Sequence, residues 1–561
     1  MFGAQNSSGV EAQLCTAVNN AIKARNAAEL ASIVLLEPPY PPIYQQLVQS
    51  LQNNFPQHAK DSERRLDQLV RRVVTETAEY EDEQGKPVQG WNAMVTFLVG
   101  WMTFLRDMDQ ANLLHTYQGL KDLQEQANSA LTHPIKGVLI LPTIVNYARV
   151  FSRVALGLDR NPELIQHLLT SNDEGGRESL SEKAANVVRV AFTQCLNDRV
   201  GTQDKKLGIY KMANICLKIL FQADKLESCE TIFRNITNSS PPLHLYPKPE
   251  QVTYLYYLGR YHFANTNFFA AARVLDHAYD IISKSPQFIK QRRLILIYLI
   301  AANLILGRLP TLHIYQLPEA EGLQEIFEPL AKAIKSGNLE RFRRITNPDL
   351  SGSTAAWMMK FRIFYQLGNY CEVLVWRSLF RAIYRKTGQE GGQEGGGMNT
   401  AKAAVLDLNT VQTAFATLEA RAKIKNEAMA QQGAIPGYRN FGHIFQDYAS
   451  VSRSTYIDPD FAGIEDVQPY NHEVDVAEAE CIAATLITQG FVAGYIDHAS
   501  GRLAISGARR PGGAAVNGFP APFGVIQSKN GEEVLGWKRD HGTAVGQGQV
   551  IRMSGARAVG E

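Results

Sequence analysis

None of the six cysteines in this 561-residue chain has a near neighbour: Cys15, Cys195, Cys216, Cys229, Cys371 and Cys481 are scattered, with no C-x-x-C. That is the usage of a reducing compartment, where free cysteine serves as a small buried hydrophobe. Net charge is lacking too. With 57 Lys and Arg against 55 Asp and Glu, bulk charge gives no argument for nucleic acid, and only local patches can. Long apolar runs are missing. The longest, Leu294 to Leu306, is interrupted by Asn303. It is too short for a bilayer span, so it reads as a buried helix and no membrane association is expected. The N-terminus, MFGAQNSSGV, has neither a basic n-region nor an apolar h-region. The expectation is a soluble chain of the nucleus or cytoplasm.

Catalytic patterns are absent as well. There is no G-x-x-x-x-G-K-[ST], no H-E-x-x-H, no G-x-S-x-G, and no G-x-G-x-x-G after a strand. The glycines of 391–397 lack the lysine and the preceding strand of a phosphate loop, and read as a linker. The histidines are dispersed. His262 and His277 fall on adjacent predicted helices, but no cysteine or carboxylate stands at ligand spacing, so no metal or other cofactor is expected. The acidic group Glu473, Asp475, Glu478, Glu480 reads as a helix start, with Asp475 as N-cap and Glu478 as its capping-box partner. No enzyme is expected.

What is present is helical periodicity. Residues 1 to about 80 read as helices broken at Glu37–Pro42 (EPPYPP), followed by a polar loop at Glu81–Gly90. From Leu180, apolar stripes recur. Val187, Val188, Ala191, Phe192 and Cys195 share one face, and Tyr210, Ala213, Leu217 and Leu220 share the next. Tyr254, Tyr257, Leu258 and Tyr261 are followed by a turn at Asn265–Asn267. Ala271, Val274, Leu275, Ala278, Tyr279 and Ile282 come next, then Leu294, Ile297, Tyr298, Ala301 and Ile305. Such helix pairs cannot bury their apolar faces alone and are expected to stack into a solenoid. Further helices are predicted over Leu323–Phe342, Met358–Leu367, Cys371–Lys386 and Asp475–Thr488. Strands are predicted at Val492–Asp497 and Arg502–Ser506, and a weak hairpin at Asn530-Gly531.

One helix carries a charged pattern. Arg377, Arg381, Arg385 and Lys386 form a basic stripe, with Trp376, Phe380 and Tyr384 beside it. A solvated basic face and a phosphate-binding face fit this spacing equally well. The helix before the predicted hairpin, DVAEAECIAATLIT, carries carboxylates and no Lys or Arg. It is therefore unsuited to enter a DNA groove. Candidate nucleic-acid contacts are then Arg377, Arg381, Arg385, Lys386, Arg502, Arg509 and Arg510.

Several segments taken together carry a family resemblance: YPKPEQVTYLYYLGRYHF, QRRLILIYLIAANLILGRLPT, AIKSGNLERF and AECIAATLITQGFVAGYIDHASGRLAIS. Over about Leu180 to Ser506 the chain resembles PCI-domain proteins of the signalosome-subunit-12-like branch. That branch includes the PCI subunit of the nuclear-pore-associated transcription-and-export complex. The resemblance implies a mainly α fold, a tetratricopeptide-like helical solenoid capped by a C-terminal winged helix. With the periodicity it divides the chain into an N-terminal helical region (1–90), helical repeats (91–248), the helical part of the PCI domain (249–370) and a winged helix (371–506); composition and poor periodicity add insertions at 388–398 and 426–471 and, from its Gly, Ala and Pro, a flexible tail (507–561), which depart from the family's compact pattern. It implies a non-catalytic subunit for messenger-RNA export at the nuclear pore. Its partners would be a Sac/GANP-type scaffold, a small acidic protein shared with the proteasome lid, and RNA or DNA without strong sequence preference. The alternative is a scaffold in a signalosome-related or splicing-linked complex, acting through protein contacts alone.

Overall fold

The computed structural model describes residues 9–57, 59, 61–81, 87–108, 112–166, 179–198, 204–391, 403–422, 461, 463–467, 474–531 and 533–537. The linker glycines from 392 on, most of the 426–471 insertion and the tail beyond 537 lie outside these residues. The chain divides into two compact units. One runs to Tyr257 and regains the chain at Glu533, and the other starts at Leu258.

The first unit is helical. It opens with α1 (Val10–Lys23), α2 (Ala27–Ile33), α3 (Ile43–Asn54) and α4 (Ser62–Val73). A two-residue ladder, β1 (Tyr80–Glu81) against β2 (Pro87–Val88), stands where a loop was expected. Then come α5 (Asn92–Asp107), α6 (Leu113–Leu131), α7 (Leu141–Arg160), the short α8 (Glu163–Gln166), α9 (Leu180–Leu196), α10 (Ile209–Gln222), α11 (Glu227–Ser239) and, up to Tyr257, α12 (Lys248–Ala264). Side-chain caps start several of them. Asn26 accepts from the Glu29 amide, Asn112 from His115 and Ser179 from Glu182, each satisfying a donor the helix leaves idle. The stripes read at α9 and α10 are buried throughout. The Pro-rich break is held from within: Trp101 Nε1 donates to Leu35 O at 3.1 Å, and the Tyr44 hydroxyl donates to Ile33 O.

The helix Gly137–Arg160 is apolar and long enough to cross a membrane. Its Ile144, Ala148, Phe151 and Ala155 are nevertheless fully buried in protein, while Arg149 and Arg153 are exposed. It is a core helix with a wet face.

The second unit continues with α13 (Phe268–Ile281), α14 (Ile289–Ile305), α15 (Leu312–Tyr315), α16 (Leu323–Ser336), α17 (Leu339–Thr346), α18 (Pro348–Lys360) and α19 (Phe364–Thr387). α14 is buried almost all round from Ile295, so its apolar run reflects a central position. Leu294, assigned to its stripe, is 37% exposed because it precedes that buried stretch. The helix expected over Met358–Leu367 is broken at Arg362, whose φ is +56°, and α19 starts beyond it.

The winged helix comprises β3 (Ala404–Asp407), α20 (Leu408–Ala422), α21 (Val476–Thr488), β4 (Gly494–Asp497) and β5 (Arg502–Ile505). The sheet is antiparallel with β5 in the centre, order β3-β5-β4. Asp475 caps α21 by accepting from the Glu478 amide at 2.7 Å. Beyond β5 the described residues up to 537 include helices where a flexible tail was expected from 507. These are α22 (Ala514–Asn517) and α23 (Pro522–Lys529). The hairpin at Asn530-Gly531 is replaced by the end of α23 and a bridge between Val534 and Trp537. Apolar anchors hold this stretch. Phe519 is buried in the second unit, and Val534 and Trp537 in the first. There Tyr254 donates to Gly536 O at 2.7 Å, and the Gly536 amide donates to Thr237 Oγ1 at 2.8 Å.

A buried ion pair ties α14 to the turn after α15. Arg292 reaches Glu319 at 2.6 Å, Tyr279 donates to the same carboxylate at 2.5 Å, and the guanidinium lies 4.3 Å from the Tyr279 ring centre. Burial acts to raise the Glu319 carboxyl. The bonds from Tyr279, the backbone and Arg292 outweigh it and hold the group below its ordinary value. Glu319→Ala leaves Arg292 buried without its carboxylate and is expected to cost about 3–5 kcal/mol in urea unfolding at neutral pH. Because the folded carboxyl is depressed, its contribution is complete above the unfolded carboxylate range and is lost as pH falls through the folded value. The gap between wild type and variant is therefore expected to narrow in acid.

Candidate nucleic-acid interface

α19 is the longest described helix of the second unit, and its Leu367, Cys371, Leu374, Val375, Phe380, Ile383 and Tyr384 are buried. Phe380 and Tyr384 are thus core rather than a stacking surface. The structure divides the basic stripe beside them. Arg377 is only 9% exposed. Its Nη2 donates to Phe519 O at 2.6 Å and to Pro520 O at 2.8 Å, and its Nε donates to Pro520 O at 3.1 Å. Burial, then the neighbouring Arg381 charge, lowers its pKa to about 10, so it stays charged at neutral pH. Held this way, Arg377 faces carbonyls of its own chain and not solvent, which removes it from a solvent-facing stripe. Arg381 is half-buried and donates through Nε to Ala515 O at 2.9 Å. Arg385 and Lys386 are exposed. In the last turn they also complement the helix dipole.

Arg377, Arg381 and Arg385 line one groove of about 380 Å³, together with Lys335, Ser336 and Ser378. No carboxylate lines it. Lys335 and Ser336 end α16 and were not foreseen as site residues. They arrive because the turn after them sits directly on α19. Gly337 has φ +71°, and a Cβ there would lie 2.3 Å from the Leu379 amide nitrogen. Only glycine permits that approach.

The other three candidates do not line this groove. Arg502 is exposed on β5, in register with Asp407 on one side and Asp497 on the other, so two carboxylates stand on the neighbouring strands. Arg509 and Arg510 are exposed in the turn after β5, where the Arg510 amide donates to Gly507 O at 3.0 Å. On α21, Glu480 accepts from the exposed His498 at 2.8 Å. That bond, and then the carboxylate charge, raises the imidazole above its ordinary value.

Among the described residues no group of His, Cys, Asp or Glu is placed to hold a metal ion. Burial pushes the thiols of Cys15 and Cys195 up to about 12 and those of Cys216 and Cys371 well up. None of these four is an activated nucleophile.

No protein-family model matches the chain. It is similar to a PCI domain-containing protein of Schizosaccharomyces pombe, 25% identical over 491 residues that cover 87% of this chain and 91% of that protein. It is 28% identical over 328 residues to the PCI domain-containing protein 2 homolog of Drosophila melanogaster, covering 58% of this chain and 63% of the relative. Against the protein CSN12 homolog of Neurospora crassa it is 28% identical over 301 residues, covering 49% of this chain and 64% of the relative. The chain thus spans just under two thirds of the latter two proteins.

The two ends of the arginine row are expected to respond differently to truncation. Arg377→Ala leaves the Phe519 and Pro520 carbonyls unpaired and should cost about 2 kcal/mol or more. Arg385→Ala should stay within about 0.5 kcal/mol of wild type. Urea unfolding of both variants checks the difference.

Proposed function

We propose that the chain is a PCI-domain protein of the CSN12-like branch, as its similarity to PCI domain-containing proteins and CSN12 homologs supports, and a non-catalytic scaffold subunit of a nuclear messenger-RNA export complex. In this reading it holds RNA or DNA by its phosphates at the end of α19. The observation that carries the reading is the groove itself: Lys335, Arg381 and Arg385 line it with Ser378 and no carboxylate, while the Ser336 hydroxyl donates to Lys332 O at 2.8 Å. Phosphate oxygens need donors and positive charge, and a carboxylate in the lining would repel them. Charge alone reads no bases, so binding is expected to be sequence-tolerant. The partners proposed are a Sac/GANP-type scaffold and a small acidic protein shared with the proteasome lid, and the place of action is the nucleus, at the pore.

A second reading has its own support. Arg377 is tied up internally and Arg502 has an aspartate on each neighbouring strand. That favours a scaffold of a signalosome-related or splicing-linked complex with little nucleic-acid role. A salt titration of single-stranded RNA binding separates the two. In Arg385→Glu/Lys386→Glu, affinity is expected to fall for all sequences alike. The log–log salt slope should flatten by about 0.7 for each phosphate that the variant no longer neutralises. Equal slopes and equal affinities would support the purely scaffolding reading.

A further inference from the structure

We propose that the segment 514–521 is an autoinhibitory strap over the inner end of the α19 groove, displaced when RNA phosphates reach Arg381 and Arg377. It regulates the nucleic-acid site proposed above and so rests on that reading. The strap follows β5 and comprises α22 and the residues that lead into α23. Its carbonyls hold two of the groove's arginines. Ala515 O accepts from Arg381, and Phe519 O and Pro520 O accept from Arg377. Pro522, just after the strap, lines the groove itself. Lys335 and Arg385 line the same groove and are exposed. The groove is thus open at one end and strapped at the other.

The bonds at the strapped end lack a counter-charge. Arg377 is buried, and among the described residues its acceptors are the uncharged carbonyls of Phe519 and Pro520. Burial and the neighbouring Arg381 charge both weigh against the cation, and no carboxylate lines the groove to relieve it. A phosphate would accept from the same planar fork and supply the missing negative charge. Displacement therefore exchanges the arginine bonds for better ones and does not forfeit them.

Other contacts keep the strap closed. Ala514 and Phe519 are buried, with the Phe519 ring 6.1 Å from that of Tyr384, and the Ala493 amide donates to Gly518 O at 2.9 Å. A ring, a methyl and one backbone bond make a modest latch, of a size that a few phosphate contacts can overcome. The chain enters the strap through a hinge. Gly512 and Gly513 have φ of +89° and +64°, a region that glycine enters without steric cost. Rotation there can lift the strap and leave β5 in its sheet. RNA would land on the exposed Lys335 and Arg385 and then compete inward for Arg381 and Arg377.

The test uses the full chain and a labelled oligouridylate, read by fluorescence anisotropy across a salt series. Phe519→Ala loosens the strap and touches no groove cation. Its affinity is expected to rise about tenfold, and its log–log salt slope to steepen by about 0.7 for each phosphate newly neutralised. Phe519→Ala/Arg377→Gln should lose much of both gains, because an arginine that the opening uncovers is gone. Hydrogen exchange of the wild-type chain serves if these variants unfold: amides of 514–521 are expected to lose protection when oligouridylate binds. Equal affinity and slope in Phe519→Ala and wild type would overturn the strap. So would a gain fully kept by the double variant, or strap amides as well protected with RNA as without it. Arg385→Glu/Lys386→Glu tells the two failures apart. A loss of binding there with Phe519→Ala unmoved sinks the strap alone, and no change in either variant sinks the nucleic-acid reading with it.

Discussion

A buried guanidinium has to be met by acceptors, and the way Arg377 is met organises the second unit around α19. Its three hydrogen bonds all go to backbone carbonyls of Phe519 and Pro520. Each bond to a charged donor contributes about 1.5–3 kcal/mol, so the chain that leaves the winged helix is drawn back onto α19. Arg381 adds a hydrogen bond to Ala515 O one helical turn on. The same row of residues thus does two jobs. Its inner end fastens the polypeptide, and its outer end, Arg385 and Lys386, stays in water.

Much of this was legible in the chain itself. The stripes of α9, α10 and α13 are local, because residues three and four apart share a helix face, and burial follows them closely. The Asp475 cap is equally local. The winged-helix strands β4 and β5 sit on either side of a turn and were readable, whereas β3 was not. It is four residues long, and its partner β5 comes much later in sequence. The arginine spacing on α19 was readable, but not which arginines reach solvent, since the acceptors lie far along the chain. Lys335 was missed for the same reason: the turn that follows it rests on α19, which is distant in sequence. The tail misled through composition. Glycine and proline read as flexibility, yet Phe519, Val534 and Trp537 are enough to anchor it.

The groove on α19 differs in kind from a basic groove of the first unit, which lies among α7, α10 and the start of α12. The one on α19 sets cations and two serines beside Leu309, Ile334, Leu374 and Pro522 and lacks carboxylates. The one in the first unit has Glu37 and Glu250 in its lining beside Arg149, Arg153, Lys211 and Lys218. The absence of carboxylates is what suits the first to a phosphate chain.

The central claim is that the outer end of α19, with the turn at Lys335, is the surface that meets nucleic acid. Ultraviolet cross-linking of single-stranded RNA to the full chain, with the cross-linked peptides identified by mass spectrometry, tests it most directly. The account predicts adducts in peptides spanning Lys335–Asn338 and Arg381–Lys386. Adducts confined to other parts of the chain, with these two segments untouched, would contradict it.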